Sequence, residues 1–183
     1  KARMEVALPT DQKTLFALAL PLATTRDIHE LMATAQTIEL DNGHELIARH
    51  AQTSQLYLIQ EGQLMESLPN GERWLLGRGM MLGDLSYLIH DGYKGSEGSI
   101  TIEGKAKVLC WPYSKLKELC DNSETLSKAL SDGIARGITK KRNFLEGTHA
   151  FGGLLEQLEP RLSAPHRDLH ARPQPHPACP SHW

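Results

Sequence analysis

The chain is poor in the residues that cross-link a fold or hold zinc. It has three cysteines in 183 residues, Cys110, Cys120 and Cys179, and no CxxC pair. An odd and widely spaced set predicts neither a disulfide framework nor a zinc site, and it fits a reducing compartment. We therefore expect a cytoplasmic protein or the cytosolic domain of a membrane protein.

Long apolar runs and strong net charge are also missing. The longest apolar run, residues 15–23, contains Pro21 and is far shorter than the ~20 residues that span a bilayer. Membrane association is therefore expected only through segments outside this chain. The formal net charge of −2 gives no general attraction to nucleic acid, and we expect no nucleic-acid partner.

The sequence lacks the common catalytic signatures. We find no nucleophile–base pair, Walker loop or Rossmann fingerprint. Cupin-like rolls hold a metal with a His-x-His pair and a Glu, and the candidates in the sheet region are His44, Glu45 and His50, without that pair. Because neighbouring residues of a strand point to opposite faces, His44 and Glu45 diverge. We expect no enzyme and no cofactor, with a cupin-like metal enzyme as the weaker alternative.

Helical patterns precede the region of strands. Thr10 is a candidate N-cap for a helix over Asp11–Leu20, which Pro21 would stop. Thr24 and Asp27 have the spacing of a capping box for a second helix. Its apolar face would comprise Ile28, Leu31, Met32 and Ala35.

Short strand-like runs separated by turns follow from Thr37 onward. The turn signals lie at 41–43, 61–62, 69–72 and 78–79. Predicted strands cover 38–40, 45–49, 57–60, 63–67, 74–76, 80–82, 99–102 and 107–111. Strands this short predict a mainly β fold with helices before and after the sheet: an antiparallel β-roll, of the double-stranded β-helix or jelly-roll kind.

Two helices are predicted after Pro112. Ser114–Cys120 would form the first, and Asp121 with Glu124 would cap the second. The second carries an apolar stripe of Leu126, Leu130, Ile134 and Ile138. This stripe either packs on its own domain or forms a homodimer. We predict one domain over residues 7–143, and a short helix followed by a flexible tail rich in Pro and His over residues 144–183.

Three stretches resemble the cyclic nucleotide-binding domain, the β-roll of catabolite-activator-type regulators, cyclic-nucleotide-dependent kinases and gated channels. They are Asp41–Ile47, Leu56–Leu64 and Leu82–Leu88, in the order and spacing of that family. Gly43 and Gly62 match its structural glycines, and a further glycine is replaced around residues 50–51. The resemblance covers about residues 15–143 and implies a regulatory domain that senses cAMP or cGMP.

The resemblance also implies a ligand site. A cyclic phosphate needs backbone N–H donors, which a glycine-led turn at a helix start provides. Gly83, Leu85 and Ser86 would present these donors, and Asp84 would hold the ribose.

The family's phosphate-binding arginine is missing from residues 93–99. Lys94, Ser96 or Ser99 would replace it, and Glu97 nearby would repel a phosphate. Lysine supplies a point charge without the two-pronged geometry of arginine.

A second resemblance is to the Popeye domain, a divergent branch of the same superfamily. Leu109–Pro112, with Leu116 and Leu119 following, looks similar to it, which implies the cytosolic part of a membrane-anchored protein. The Popeye pocket sequences Asp-Ser-Pro-Glu and Phe-Gln-Val-Thr are absent, and Gly83–Ser86 stands in place of the first. In the rival hypothesis the pocket binds nothing, Asp84 caps a short helix over 85–90, and the domain is a dimerisation or protein-interaction module.

Overall fold

A computed structural model describes residues 7–89 and 95–145, with side chains up to residue 140. Lys94 and the tail predicted after the last helix lie outside the described residues. The statements below concern the described ranges.

Two helices precede the sheet, as predicted. α1 spans Thr10–Ala19 and has Pro9 as its N-cap, so Thr10 is its first residue and not the cap. α2 spans Thr25–Thr34, and its predicted capping box is confirmed. The hydroxyl of Thr24 accepts from the Asp27 N–H at 3.2 Å, and the Asp27 carboxylate accepts from the Thr24 N–H at 2.9 Å.

The sheet is antiparallel and has six strands, which confirms the fold class. Its order is β1-β6-β3-β4, with β2 paired to β6 and β5 paired to β3. The strands are β1 Gln36–Leu40, β2 Glu45–Ile47, β3 Gln55–Ser67, β4 Arg73–Leu76, β5 Met81–Leu82 and β6 Ser99–Pro112.

The hairpin turn predicted at residues 61–62 is wrong. β3 runs through this point as one strand, and its register against β6 shifts on both sides of Glu61. Gly62 has φ +85°, and a Cβ there would collide with the carbonyl oxygen of Lys105. A glycine at positive φ serves a β-bulge as well as a turn, so Gly62 bends a continuous strand.

β6 is also one strand where two were predicted. Residues 99–102 and 107–111 are joined through residues 103–106 without a break. β6 therefore pairs with β1, β2 and β3 along its length.

Three helices complete the described fold. They are α3 Asp84–Leu88, α4 Tyr113–Asn122 and α5 Glu124–Leu145. The predicted cap at Asp121 is wrong, because Ser123 Oγ accepts from the Leu126 N–H at 3.2 Å. No helix within the described ranges is long and apolar enough to cross a bilayer.

The apolar stripe of α5 is buried within the chain itself. Its four side chains, Leu126, Leu130, Ile134 and Ile138, are each at most 5% exposed. Close packing against α1 is visible at Gly133, where a Cβ would lie 2.6 Å from the carbonyl oxygen of Ala19. The stripe therefore packs within its own domain, the first of the two alternatives, and the homodimer stays a prediction that no observation here supports.

Candidate functional site

Gly83 shapes the turn at the start of α3. It is the N-cap of that helix and has φ +80°, a left-handed conformation that favours glycine. A Cβ at Gly83 would lie 2.5 Å from Gln55 O and 3.0 Å from both Thr53 Oγ1 and Tyr113 Oη. Backbone conformation and crowding thus both require glycine at this position.

Asp84 is buried between α3 and α5. Its side chain is only 3% exposed, and Oδ1 accepts from the Leu85 N–H at 3.1 Å. Oδ2 faces α5, where a Cβ on Gly137 would come within 3.7 Å of it. The carboxylate predicted to hold a ribose therefore lies against a helix, and the Leu85 N–H predicted to meet a phosphate already has an acceptor.

The cap assignment in the rival hypothesis also needs correction. Gly83 is the N-cap of α3, and Asp84 is the first residue of the helix. The helix ends at Leu88 with Ile89 as its C-cap.

Tyr113 joins this turn to α4, a contact that the sequence did not indicate. Its hydroxyl donates to Gly83 O at 2.6 Å and lies 2.8 Å from Thr53 Oγ1. The side chains of Tyr113 and Ser86 also share a hydrogen bond. Burial raises the pKa of the Tyr113 hydroxyl, so at neutral pH it stays protonated and remains a donor.

Tyr87 packs beside Tyr113 with its ring edge-on. The ring centroids lie 5.3 Å apart, a favourable aromatic geometry. Burial raises the pKa of Tyr87, and a hydrogen bond joins its side chain to that of Cys120 on α4. The turn after β5 is therefore fixed to α4 by two tyrosines.

Ser96, in the second part of the predicted site, forms hydrogen bonds with the connection between β2 and β3, which comprises residues 48–54. The His50 N–H donates to Ser96 O at 2.6 Å, and the Ser96 N–H donates to Ala51 O at 3.0 Å. The Ser96 hydroxyl donates to Gly98 O at 2.6 Å. Burial raises the pKa of Glu97, while the nearby charge of His50 lowers it in part.

His50 occupies the position where the resemblance placed a lost glycine. It has φ +63°, the one positive φ of a residue other than glycine in the described ranges. His50 therefore adopts the positive φ that is typical of glycine, although it carries an imidazole side chain. The replacement of the family's glycine around residues 50–51 is the sequence feature from which this turn could have been predicted.

The structure brings two of the predicted site residues, Gly83 and Ser96, to the connection between β2 and β3. Gly83 approaches Thr53 and Gln55, while Ser96 pairs with residues 50–51 of the same connection. Ser99 instead begins β6 and pairs with Ser67, at the opposite end of β3 from Gln55. Lys94 is outside the described residues, so its role stays a prediction.

In the described ranges, no group of three or more His, Cys, Asp or Glu side chains is arranged to hold a metal ion. Glu45 begins β2 and His44 directly precedes it, and both residues are exposed.

Comparison with known proteins finds similarity in structure but not in sequence. No family model matches the sequence, and no curated protein matches it. A putative cyclic nucleotide-binding protein from Geobacter metallireducens GS-15 is similar with a TM-score of 0.59 and 14% identity, over 73% of this chain and 98% of that one. PKAR CBD2 with bound Sp-2Cl-cAMPS is similar with a TM-score of 0.59 and 15% identity, over 75% and 90%.

A third similar structure is the N-terminal domain of a transcriptional regulator from Streptomyces coelicolor A3(2). Its TM-score is 0.54 at 19% identity, over 70% of this chain and 91% of that one. Identities this low establish the fold alone. The chain has the antiparallel β-roll fold, with flanking helices, of cyclic nucleotide-binding domains.

Proposed function

We propose that this domain is a regulatory sensor that binds cAMP or cGMP weakly at the turn before α3. The observation that carries the proposal is the approach of the Asp84 carboxylate, at the turn, to α5, where a Cβ on Gly137 would lie 3.7 Å from Oδ2. A ligand that draws Asp84 toward its ribose would remove a buried carboxylate from the face of α5. Because the ligand would favour one position of α5 over another, its binding would shift the population of two states.

Weak affinity follows from the composition of the site. Backbone N–H groups at a helix start favour a phosphate, and Gly83 keeps the turn in the required conformation. The arginine that would pair with the phosphate through two hydrogen bonds is missing from residues 93–99. Lys94 and the hydroxyl of Ser96 remain the proposed substitutes, whereas Ser99 lies at the end of β3 away from Gln55.

A second candidate function is a non-binding module that contacts another protein. Two observations favour it: the Leu85 N–H donates to Asp84, and the Ser96 hydroxyl donates to Gly98 O. In this version the turn is a structural element whose donors are used inside the protein. The Popeye-like segment Leu109–Pro112 adds the proposal that such a module is the cytosolic part of a membrane-anchored protein.

Calorimetric titration with cAMP and with cGMP separates the two functions. The sensor predicts measurable heat and a higher melting temperature at millimolar ligand, because a ligand of the folded state stabilises it. Adenosine, which has no phosphate, is the matched ligand control and should give a much smaller effect. Absence of heat and of a thermal shift with both nucleotides would overturn the sensor and leave the protein-contact module.

A further inference from the structure

The apolar run at residues 15–23 is divided between the core and the surface. Leu18 and Leu22 are 51% and 54% exposed, although the run contains no polar side chain. Its fully buried members contribute to the core: Leu15, Phe16, Ala19 and Leu20. Its exposed members form what we call the α1-end surface: Ala17, Leu18, Pro21 and Leu22. Clustered apolar side chains on the outside of a protein mark a site of contact with a partner or a membrane.

Cations of α5 lie beside the α1-end surface. Leu18 lines one groove together with Arg136 and Lys140. Arg136 is paired with Asp132 at 2.6 Å. Lys140 is exposed, and none of the ion pairs between described residues involves it. Two further basic residues follow it in the sequence, at 141–142. The apolar surface therefore has a positively charged edge.

We propose that the α1-end surface docks on an anionic lipid bilayer, with Leu18 and Leu22 among the headgroups and Lys140 against the lipid phosphates. Surfaces of this kind bind membranes through their buried apolar area and through attraction to anionic lipids. The net charge of −2 does not oppose this, because charges more distant than the Debye length of about 8 Å are largely screened. The inference goes beyond the proposed function and does not depend on nucleotide binding.

The cations favour lipid over a partner protein as the occupant of this surface. Lysine is depleted in interfaces between proteins, and charged residues are rare at their centres. Anionic headgroups have the opposite preference, since each lysine or arginine near such a bilayer strengthens binding by about fivefold. A membrane contact within the chain is a feature that the composition did not predict.

The test is cosedimentation of the whole chain, without nucleotide, with vesicles of phosphatidylcholine and phosphatidylserine. Vesicles of phosphatidylcholine alone should bind much less protein, because they carry no net charge. Replacing both leucines, as Leu18→Ser with Leu22→Ser, should weaken binding about tenfold. Lys140→Gln should weaken it about fivefold. Salt at about 1 M should also weaken it, because the Debye length then falls to about 3 Å.

The chain offers a matched control for each substitution. Leu75→Ser is the control for the leucines, since Leu75 is 53% exposed but lies on β4. Lys117→Gln is the control for Lys140, because Lys117 is an exposed lysine on α4. Both controls should bind like the original protein.

A variant that gains affinity separates membrane contact from loss of folding. Leu22→Trp should bind several-fold tighter, because tryptophan prefers the interface between lipid and water. Thermal melting shows whether each variant is folded. Leu18→Ser should fold, since serine keeps the Cβ that lies closest to the turn at Gly79.

The outcomes separate this inference from the sensor function. Failure to bind phosphatidylserine vesicles, or a loss in Leu75→Ser equal to that in the leucine pair, overturns the membrane contact. A dimer that disappears in Leu18→Ser, without vesicle binding, also overturns it and assigns the surface to a second copy of the chain. If vesicle binding and a dimer are both absent, the surface belongs to a partner protein. None of these results affects the sensor, which nucleotide calorimetry tests separately.

Discussion

The Tyr113 hydroxyl donates to the carbonyl oxygen of Gly83 at 2.6 Å and thereby joins the first residue of α4 to the N-cap of α3. In the sequence, the two residues are separated by α3, residues 89–98 and the whole of β6. A movement of the turn at Gly83 would therefore reach α4 through this part-buried hydroxyl as well as through the chain.

Tyr113→Phe should destabilise the domain. The change removes the donor to Gly83 O and leaves Thr53 and Ser86 without their shared partner. We expect the free energy of unfolding to fall by about 1–2 kcal/mol, measured by chemical denaturation. Tyr57→Phe is the matched control, on β3, and should cost less; an equal loss in both variants would contradict a special role for Tyr113.

Asp27→Asn should weaken the fold in a pH-dependent way. Burial raises the pKa of Asp27, but hydrogen bonds from Thr24, Ser123 and Thr125 outweigh it, and the net pKa lies below its ordinary value. The stabilisation by the charged form is therefore complete above the ordinary pKa of about 3.9, and it is lost as the pH falls through the lower pKa of the folded state.

At pH 7 the variant should lose about 2 kcal/mol of unfolding free energy, since each bond to a charged group contributes strongly. In denaturation curves, the difference in unfolding free energy between the two proteins should shrink as the pH falls below the ordinary pKa of about 3.9 and through the lower pKa of the folded state. Asp41→Asn, at an exposed turn, is the control and should show little change at any pH. A gap that does not depend on pH would argue against the charged form of Asp27.

Two glycines of α5 should respond to alanine in opposite directions. A Cβ at Gly137 would make an ordinary contact with Asp84 Oδ2 at 3.7 Å, so the gain in helix propensity should stabilise Gly137→Ala by up to about 1 kcal/mol. A Cβ at Gly133 would collide with Leu20 and lie 2.6 Å from Ala19 O, so Gly133→Ala should cost about 2 kcal/mol. Melting temperatures test this pair, and shifts of the same sign would contradict the packing of α5 described above.

Ser96→Arg should strengthen cyclic nucleotide binding if the site is a weakened sensor. Arginine can pair with a phosphate through two charge-assisted hydrogen bonds, and we expect about tenfold tighter binding of cAMP by calorimetry. His44→Arg adds the same charge at the turn before β2 and serves as the control. If neither variant binds, the protein-contact module gains support.

Local sequence patterns predicted the helices before and after the sheet, whereas features that depend on contacts between residues distant in sequence were missed or misassigned. The capping box of Thr24 and Asp27 is confirmed because all of its atoms lie within one helical turn. Gly62 was misassigned because a bulge and a turn both demand positive φ, and only the distant Lys105 carbonyl distinguishes them. The orientation of the Asp84 side chain depends on α5, which is distant in sequence. No local sequence pattern links Tyr113 to Gly83, to which its hydroxyl is hydrogen-bonded.

The 14-residue strand β6 has a consequence for how the chain acquires its fold during synthesis. β1 and β2 pair with β6, in a register that joins Gln36 to Cys110 and Glu45 to Thr101. These two strands therefore leave the ribosome well before their partner does, and only β3, β4 and β5 can pair early with one another. Such non-local pairing is slow and leaves apolar strands exposed in the meantime, so the nascent chain should depend on chaperones until Pro112 has emerged.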